Sequence, residues 1–540
     1  MRKKLHQFLK RRTNHLHKIK SGKNGCRSLK DSLLYSDVIL TDMQENQTEN
    51  SHKTIVRATG IFGFSQVLKI LIGVVGSKFI AVFLGTVGIG IAGLLNNTIG
   101  IISAVSGFGI NISGVRQVSI AYSQEDDYKF SEALLVLKRW SIFVGLLGVF
   151  LTIVFSKILS QWTFGTSEQY VWFIFLSVNF IFSSQATNKM AILQGTRSMK
   201  AIAISSVVYS VLLTIISVPI YYFFRMDGII PVILLTAVLN FLVNWYYSKK
   251  ITTKKITMSY SETFQKGKGL IKLGFLLSIN VVFGQICNYL IKLYLQFNAS
   301  DTEVLGLYVV SSVILISYVG LIFNAMGTDF YPRLTALQED NNKVKELVND
   351  QIEIGILLIT PGILLFYFLA PLLIRILYTK EFLPVIFILK ASLFAIIVKA
   401  VIWPLAYIIL AKGKTKLYFK QELLGDFMNV TLTILLYHLL GLIGIGIAML
   451  VNYTIYGFYV FNVVHKKFGF TVRKETRSVL FKSLVMGFLA CLIVFVLDYP
   501  NAYFPLGILT CISIIFSYKE LDKRIDVLSY YSKVKEKFRR

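Results

Sequence analysis

The sequence predicts an all-α polytopic membrane protein with about fourteen transmembrane helices. Between Arg57 and Tyr518 it contains about fourteen apolar stretches, each long enough to cross a bilayer. Most strong basic clusters fall in alternate connectors. Because spans one to six resemble spans seven to twelve, we expect two six-helix lobes related by a pseudo-two-fold axis along the membrane normal, plus a C-terminal two-helix hairpin.

The composition argues against a soluble globule. Hydrophobic residues form 54% of the 540 residues, yet the formal net charge is +28. The apolar side chains must face lipid or each other, so the basic excess belongs mainly in connectors and tails, where it sets membrane orientation. A nucleic-acid partner is not predicted, because the longest non-membrane segment is only the first fifty or so residues.

Six segments follow one another along the chain. They are 1–52, a basic cytoplasmic tail expected to be disordered; 53–250, the N-lobe; 251–268, a cytoplasmic linker; 269–466, the C-lobe; 467–518, the hairpin; and 519–540, a cytoplasmic tail. Translation from Met43 is an alternative origin for the unusual first segment.

The spans are predicted in order from the apolar runs and the connectors that interrupt them. They are 57–83, 91–118, 135–158, 169–193, 199–223, 228–247, 270–296, 303–328, 352–374, 384–410, 417–438, 442–463, 478–497 and 502–517. Lysine and arginine concentrate in the even-to-odd connectors, whereas the opposite connectors are short and nearly uncharged. We therefore expect a bacterial inner-membrane protein with both termini in the cytoplasm.

No cofactor, metal or catalytic site is predicted. The four cysteines form no C-x-x-C pair, and the six histidines are scattered. No nucleophile or acid/base pair stands out, and the outward connectors are too short for the loop that a membrane polymerase or ligase usually needs. We therefore do not expect an enzyme.

Two pairs of segments indicate an internal repeat. Gly88-Ile89-Gly90-Ile91 resembles Val304-Leu305-Gly306-Leu307, and each lies at a similar distance before a polar segment. Those polar segments end in Gln124-Glu125-Asp126 and Gln338-Glu339-Asp340. Repeat-built transporters bind their substrate between the two halves and rock them alternately.

Lysines inside spans are the main candidates for a binding site, since a charge at mid-bilayer costs at least about 2.5–3.5 kcal/mol on insertion scales. In the first span, Lys69 shares a polar stripe with Gln66. Lys78 lies on roughly the opposite face. For this lysine, snorkelling to the membrane surface is an equal alternative to a binding role. In the seventh span one stripe contains Gln285, Asn288 and Lys292.

Further candidates lie in the tenth span and at the end of the eighth. Lys399 lies one turn before Trp403-Pro404, and Lys390 occupies the same apolar run. Asp329 and Arg333 are secondary candidates that could simply pair with each other. Buried cations with few carboxylates, of which Asp426 is one, predict an anionic ligand such as a phosphate or diphosphate that tolerates lipid.

Four further segments are Ser77 to Gly85 with Gly88-Ile89-Gly90, Gly327 to Leu334, Lys399 to Trp403, and Ile408 to Lys414. In these segments the sequence resembles a known family, the O-antigen (Wzx-type) flippases of the multidrug/oligosaccharidyl-lipid/polysaccharide (MOP) exporter superfamily. The resemblance covers about residues 53 to 517.

The resemblance implies a flippase that moves undecaprenyl-diphosphate-linked O-antigen, or a related polysaccharide repeat unit, from the cytoplasmic to the outer leaflet. It implies a cationic cavity between the lobes, onto which Lys69, Lys78, Lys292 and Lys399 map by position. Membrane lipids, a polymerase and other glycan-assembly proteins would be its partners. A multidrug exporter of the same superfamily is the nearest alternative, followed by a lipid II flippase and a membrane glycan polymerase.

Overall fold

The described residues are 25–251, 254, 256–298 and 303–525 of a computed structural model. They form helices joined by short connectors, with no β-strand among them. The helices are α1 (Gly25–Gly107), α2 (Ile110–Ser123), α3 (Asp127–Val154), α4 (Ser156–Phe164), α5 (Tyr170–Gly195), α6 (Met199–Phe224), α7 (Ile229–Ser248), α8 (Tyr260–Asn298), α9 (Val304–Ser312), α10 (Gly320–Ala336), α11 (Asn341–Leu377), α12 (Val385–Ala411), α13 (Thr415–Leu440), α14 (Leu442–Phe468), α15 (Lys474–Val496) and α16 (Tyr503–Ile525). The prediction of an all-α chain is confirmed.

Ten helical segments of the described chain are long and apolar enough to cross a membrane, which confirms a multi-pass membrane protein. One of them, Met199–Ser248, contains two of the predicted spans, 199–223 and 228–247. Another, Leu68–Gly107, contains most of the first predicted span and the beginning of the second, which continues into α2. The predicted seventh span coincides with α8, and the eighth with α9 and α10 joined by a π-helical turn, Val313–Tyr318. The number fourteen and the symmetry of the lobes stay predictions.

The chain divides into two compact units, Met1–Gln66 and Val67–Arg540. In the first unit, α1 begins at Gly25, inside the segment that the sequence predicts as a tail. Residues 1–24 lie outside the described part of the chain. The second unit contains the rest of α1 and all the helices from α2 to α16.

A glycine separates the first two predicted spans within α1. Gly85 has φ 63° and ψ −169°, a conformation that only glycine adopts readily. The chain therefore bends there, so that the residues after Gly85 form the second predicted span.

The two predicted repeats share a local structure at their third span. Asp126 caps the N-terminus of α3 by accepting hydrogen bonds from the backbone N–H groups of Tyr128 and Lys129. Asp340 caps α11 in the same way, with the N–H groups of Asn342 and Lys343. The backbone angles agree closely, with φ −102° and ψ 105° at Asp126 against φ −103° and ψ 101° at Asp340. This agreement supports the equivalence of the two segments.

The other pair of similar segments is in direct contact. A Cβ atom added to Gly90 would lie 3.0 Å from the backbone nitrogen of Gly306, and one added to Gly306 would lie 1.9 Å from the carbonyl oxygen of Thr86. Only glycine permits such close packing of two helix backbones. α1 and α9 therefore meet at a contact between the N-terminal half, α1 to α7, and the C-terminal half, α8 to α14.

The C-terminal hairpin, α15 and α16, packs on α11. The Glu353 carboxylate of α11 is 2% exposed and lies 2.9 Å from Nη2 of Arg473 and 2.6 Å from Nε of Arg524. Because a buried carboxylate needs such partners, these two ion pairs hold the start and the end of the hairpin against the same helix.

Candidate functional site

A lysine lies at the contact between the two halves. Lys292 of α8 is half-buried, and its Nζ donates a hydrogen bond to the carbonyl oxygen of Gly93 in α1, at 3.1 Å. Two turns earlier on α8, Gln285 accepts a hydrogen bond from Nδ2 of Asn97 through its side-chain oxygen, also at 3.1 Å. The polar stripe that the sequence predicts on α8 therefore faces α1 at Gln285 and Lys292.

One backbone carbonyl uses only one of the three N–H groups of the Lys292 ammonium. A lysine held at the boundary of two helical halves can therefore also donate to an anionic group that enters between them. Asn288, the third residue of the predicted stripe, is exposed and donates to the carbonyl oxygen of Gly284 in its own helix.

Lys78 lies at a different contact between the halves. Its Nζ donates to the carbonyl oxygens of Arg375, at 2.5 Å, and of Tyr378. Those carbonyls lie at the C-terminal end of α11, where backbone oxygens lack helical partners and the helix dipole is negative. Lys78 thus joins α1 to α11 near the connector Tyr378–Pro384, which the sequence predicts to lie outside the membrane.

The remaining candidates on α1 are Lys69 and Gln66. Lys69 is exposed, and no hydrogen bond or ion pair of its side chain is found within the described part of the chain. Gln66 is half-exposed and is the last residue of the first compact unit.

Lys399 lines a cavity of about 360 Å³ between α12, α13 and α14, which we call the C-half cavity. Its ammonium lies 5.4 Å from the ring centres of both Phe323 and Tyr453, within the range of cation–π attraction. Glu422 and Asp426 line the same cavity, and Glu422 accepts a hydrogen bond from the hydroxyl of Tyr456 at 2.9 Å.

Glu422 was missed by the sequence reasoning, which considered only Asp426 and Asp329 as acidic members. The signal was available, because Glu422 and Asp426 are four residues apart in the predicted span 417–438 and therefore share a helix face. The expectation of a purely cationic site does not describe the C-half cavity, which combines one lysine with two carboxylates.

A second cavity, of about 750 Å³, lies between α2, α5 and α7, and we call it the N-half cavity. Arg116 is the one charged residue of its lining. The polar neutral residues of the lining are Asn111, Ser119, Thr187, Gln194, Asn240 and Asn244. None of them was a predicted site residue.

The secondary candidates lie elsewhere. Lys390 is buried, with its ammonium 5.5 Å from the ring centre of Phe387 and 5.6 Å from that of Phe495 on α15, so it packs beneath the hairpin. Arg333 is exposed near the end of α10, whereas the side chain of Asp329 lies outside the described residues. Within the described part of the chain, no group of three or more side chains is suited to a metal ion.

Comparison with known proteins identifies the sequence family to which these features belong. The model of a family described as "Polysaccharide biosynthesis protein" matches residues 79–387, which include α2 to α11. The capsular polysaccharide biosynthesis protein CapF of Staphylococcus aureus is 25% identical over 196 residues. That alignment covers 35% of this chain and 48% of CapF, so the chain spans about half the length of the curated relative it matches.

Solved structures show the same fold. The lipid II flippase MurJ in an inward closed conformation has a TM-score of 0.63 at 17% identity, over 88% of this chain and 100% of that chain. An inward-facing multidrug resistance MATE transporter of the MOP superfamily has a TM-score of 0.61 at 14% identity, over 75% of this chain and 94% of that one. At these identities the likeness establishes the arrangement of helices.

Proposed function

We propose that this chain, which belongs to the family of polysaccharide biosynthesis proteins and has the fold of MOP-superfamily transporters, is a flippase for lipid-linked oligosaccharides. Its substrate would be an undecaprenyl-diphosphate-linked repeat unit of O-antigen or a related polysaccharide, moved from the cytoplasmic to the outer leaflet of the bacterial inner membrane. The resemblance noted in the sequence agrees with the family match.

The observation that supports this proposal most directly is Lys292, a cation held between the two halves by a bond to Gly93. A diphosphate offers several charged acceptor oxygens, and the lysine ammonium binds such groups as a point charge with several donors. A site between helices of a membrane protein also lets the polyprenyl tail of the substrate stay in the lipid while its headgroup enters the protein.

Alternating access gives the mechanism. The headgroup enters between the halves from the cytoplasm, and rocking of the halves then exposes it to the other side. The bonds from Lys78 to the end of α11 join the halves near the predicted outer surface. They would have to break for the headgroup to leave outward.

A small-molecule exporter is the second candidate, because Glu422 and Asp426 in the C-half cavity would suit a cationic compound. Flipping of lipid II would differ only in the headgroup. We favour the repeat unit of a polysaccharide over both because the family match and CapF concern polysaccharide biosynthesis.

The experiment compares a deletion strain complemented with the wild type, Lys292→Ala or Lys69→Ala. We expect the wild type to restore surface polysaccharide, and either variant to lose it while lipid-linked repeat units accumulate inside the cell. Lys157→Ala is the matched control, because Lys157 is exposed on α4 and its ammonium lies 5.9 Å from the ring centre of Tyr170. Membrane insertion of every variant is checked by immunoblotting of membrane fractions.

Two results would contradict the proposal. Normal surface polysaccharide in both lysine variants at native expression would remove the role given to these cations. If the deletion left surface polysaccharide intact but made the cells accumulate cationic dyes, the exporter alternative would replace the flippase.

A further inference from the structure

We infer that the N-half cavity is a subsite for the sugar part of the substrate, bound through side-chain amides and hydroxyls and separate from the place where Lys292 meets the diphosphate. This inference rests on the proposed function. It adds that the N-half cavity and Lys292 recognise different parts of the substrate.

The lining of the N-half cavity consists of groups that match sugar hydroxyls. An amide side chain both donates and accepts hydrogen bonds, as does each hydroxyl of a sugar. The cavity presents four amides, from Asn111, Gln194, Asn240 and Asn244, together with the hydroxyls of Ser119 and Thr187. Its volume of about 750 Å³ lies within the range of about 300–1,000 Å³ that ligand pockets have.

The two asparagines of α7 are oriented for a further partner. Nδ2 of Asn244 donates to Oδ1 of Asn240 at 2.7 Å. This bond fixes both amides and leaves the second Nδ2 hydrogen of Asn244, its Oδ1, and the Nδ2 of Asn240 available. Held in this way, an amide pair loses little conformational freedom when a ligand binds.

A smaller cavity of about 260 Å³ adjoins the N-half cavity and shares Asn111, Ile112 and Thr187 with it. Its hydroxyls come from Thr187 and from five serines, at positions 103, 106, 183, 184 and 278. Ser278 belongs to α8, the helix that also contains Lys292. A line of neutral polar groups therefore runs from the N-half cavity toward the helix of the proposed diphosphate contact.

The charge of the N-half cavity restricts the ligand. Arg116 has no ion-pair partner in the described part of the chain, and no carboxylate lines the cavity. A cationic ligand would be repelled there, whereas a neutral oligosaccharide, or one with an acidic sugar, would be accepted. Gln194 and Asn244 also lie near the C-terminal ends of α5 and α7, next to connectors predicted to be cytoplasmic, where the substrate would enter.

The experiment uses the full-length protein in lipid vesicles and two probes. The first is the polyprenyl-diphosphate-linked repeat unit extracted from the source bacterium, and the second is the same lipid trimmed to its first sugar. We expect the double variant Asn240→Ala/Asn244→Ala to flip the first probe at least tenfold more slowly than the wild type, and the second within twofold of it. Lys292→Ala should slow both probes.

Control variants distinguish misfolding, failure of the subsite and failure of the proposed function. Asn96→Ala is the matched substitution, because Asn96 is an exposed amide that bonds to its own helix and lines neither cavity. Should the double variant melt earlier than the wild type, the single variants Asn240→Ser and Arg116→Gln repeat the comparison with smaller changes in packing. If a folded variant slows both probes equally, or slows neither, the subsite is overturned. The proposed flippase function is not affected by that result. If the wild type moves neither probe, the proposed function itself fails.

Discussion

The N-half and C-half cavities lie in different halves of the chain and differ in chemistry. The N-half cavity has amides, hydroxyls and the single charge of Arg116. The C-half cavity has Lys399, two carboxylates and the aromatic side chains of Trp403 and four tyrosines. The halves retain the same aspartate caps at Asp126 and Asp340. The two halves thus line their cavities with different polar groups, which favours different tasks for the two cavities.

The two cavities should also differ in how much stability the protein loses when the cation of each cavity is removed. Lys399 is the one cation that lines a cavity with two carboxylates, so its loss leaves negative charge without a local counter-charge. Arg116 faces no carboxylate in its own lining. Removal of either cation is therefore a direct test of whether the cavities are as different as their linings indicate.

The largest effect is expected from Lys399→Met. We expect loss of transport and a loss of stability of about 1–3 kcal/mol, because Glu422 and Asp426 then remain partly buried without a cation. Addition of Glu422→Gln and Asp426→Asn should restore the melting temperature without restoring transport. Melting in detergent and flipping in vesicles measure the two effects.

Arg116→Gln provides the comparison from the other cavity. It should leave the melting temperature within about 1 °C of the wild type, since it uncovers no carboxylate. Equal destabilisation by Lys399→Met and Arg116→Gln would show that the two cavities do not differ in their charge balance.

An intermediate effect is expected when the same change is made in both cavities. Asn452→Asp adds a third carboxylate to the C-half cavity, at an amide whose buried oxygen has no hydrogen-bond partner among the described residues. Asn244→Asp adds the first carboxylate to the N-half cavity, which Arg116 also lines. Because like charges repel in a site of low dielectric, Asn452→Asp should lower the melting temperature by about 4 °C and Asn244→Asp by about 1 °C.

The comparison would be reversed if Asn244→Asp were the more harmful change. That outcome would mean that the bond between Asn244 and Asn240 matters more to stability than the charge around it. Asn244→Ala, which removes the amide without adding charge, separates these two causes.

The sequence was sufficient for the fold because its signals are local. Apolar runs mark the helices, and the helical period placed Gln285 and Lys292 on one face, which the structure directs at α1. The partners of Lys78 and Lys390 could not be predicted in this way. Lys78 bonds to residues about three hundred positions away, and Lys390 packs against a helix that the repeat does not include.

The N-half cavity was missed for a different reason. A search for charges inside spans detects Lys292 or Lys399, but a paired amide such as Asn240 with Asn244 has no charge and occurs in an ordinary apolar helix. Its four-residue spacing puts both amides on one face, but three helices must come together before that face becomes a cavity. Local sequence patterns therefore located the lysines better than they located the neutral amides that line the N-half cavity.

The smallest effect is expected at the caps, which test whether the halves are alike outside their cavities. Asp126→Ala and Asp340→Ala each remove two hydrogen bonds to the first turn of a helix. These backbone N–H groups lower the pKa of Asp340, so the cap should stabilise the protein above the ordinary pKa of an aspartate and weaken as the pH falls below it. We expect each variant to lower the melting temperature by about 2 °C or less at pH 7, and Asp340→Ala to differ less from the wild type at pH 3 than at pH 7. Asn at either position should retain most of the cap, since it offers the same acceptor. A loss at one cap that greatly exceeded the loss at the other would indicate that the halves differ in their framework as well as in their polar linings.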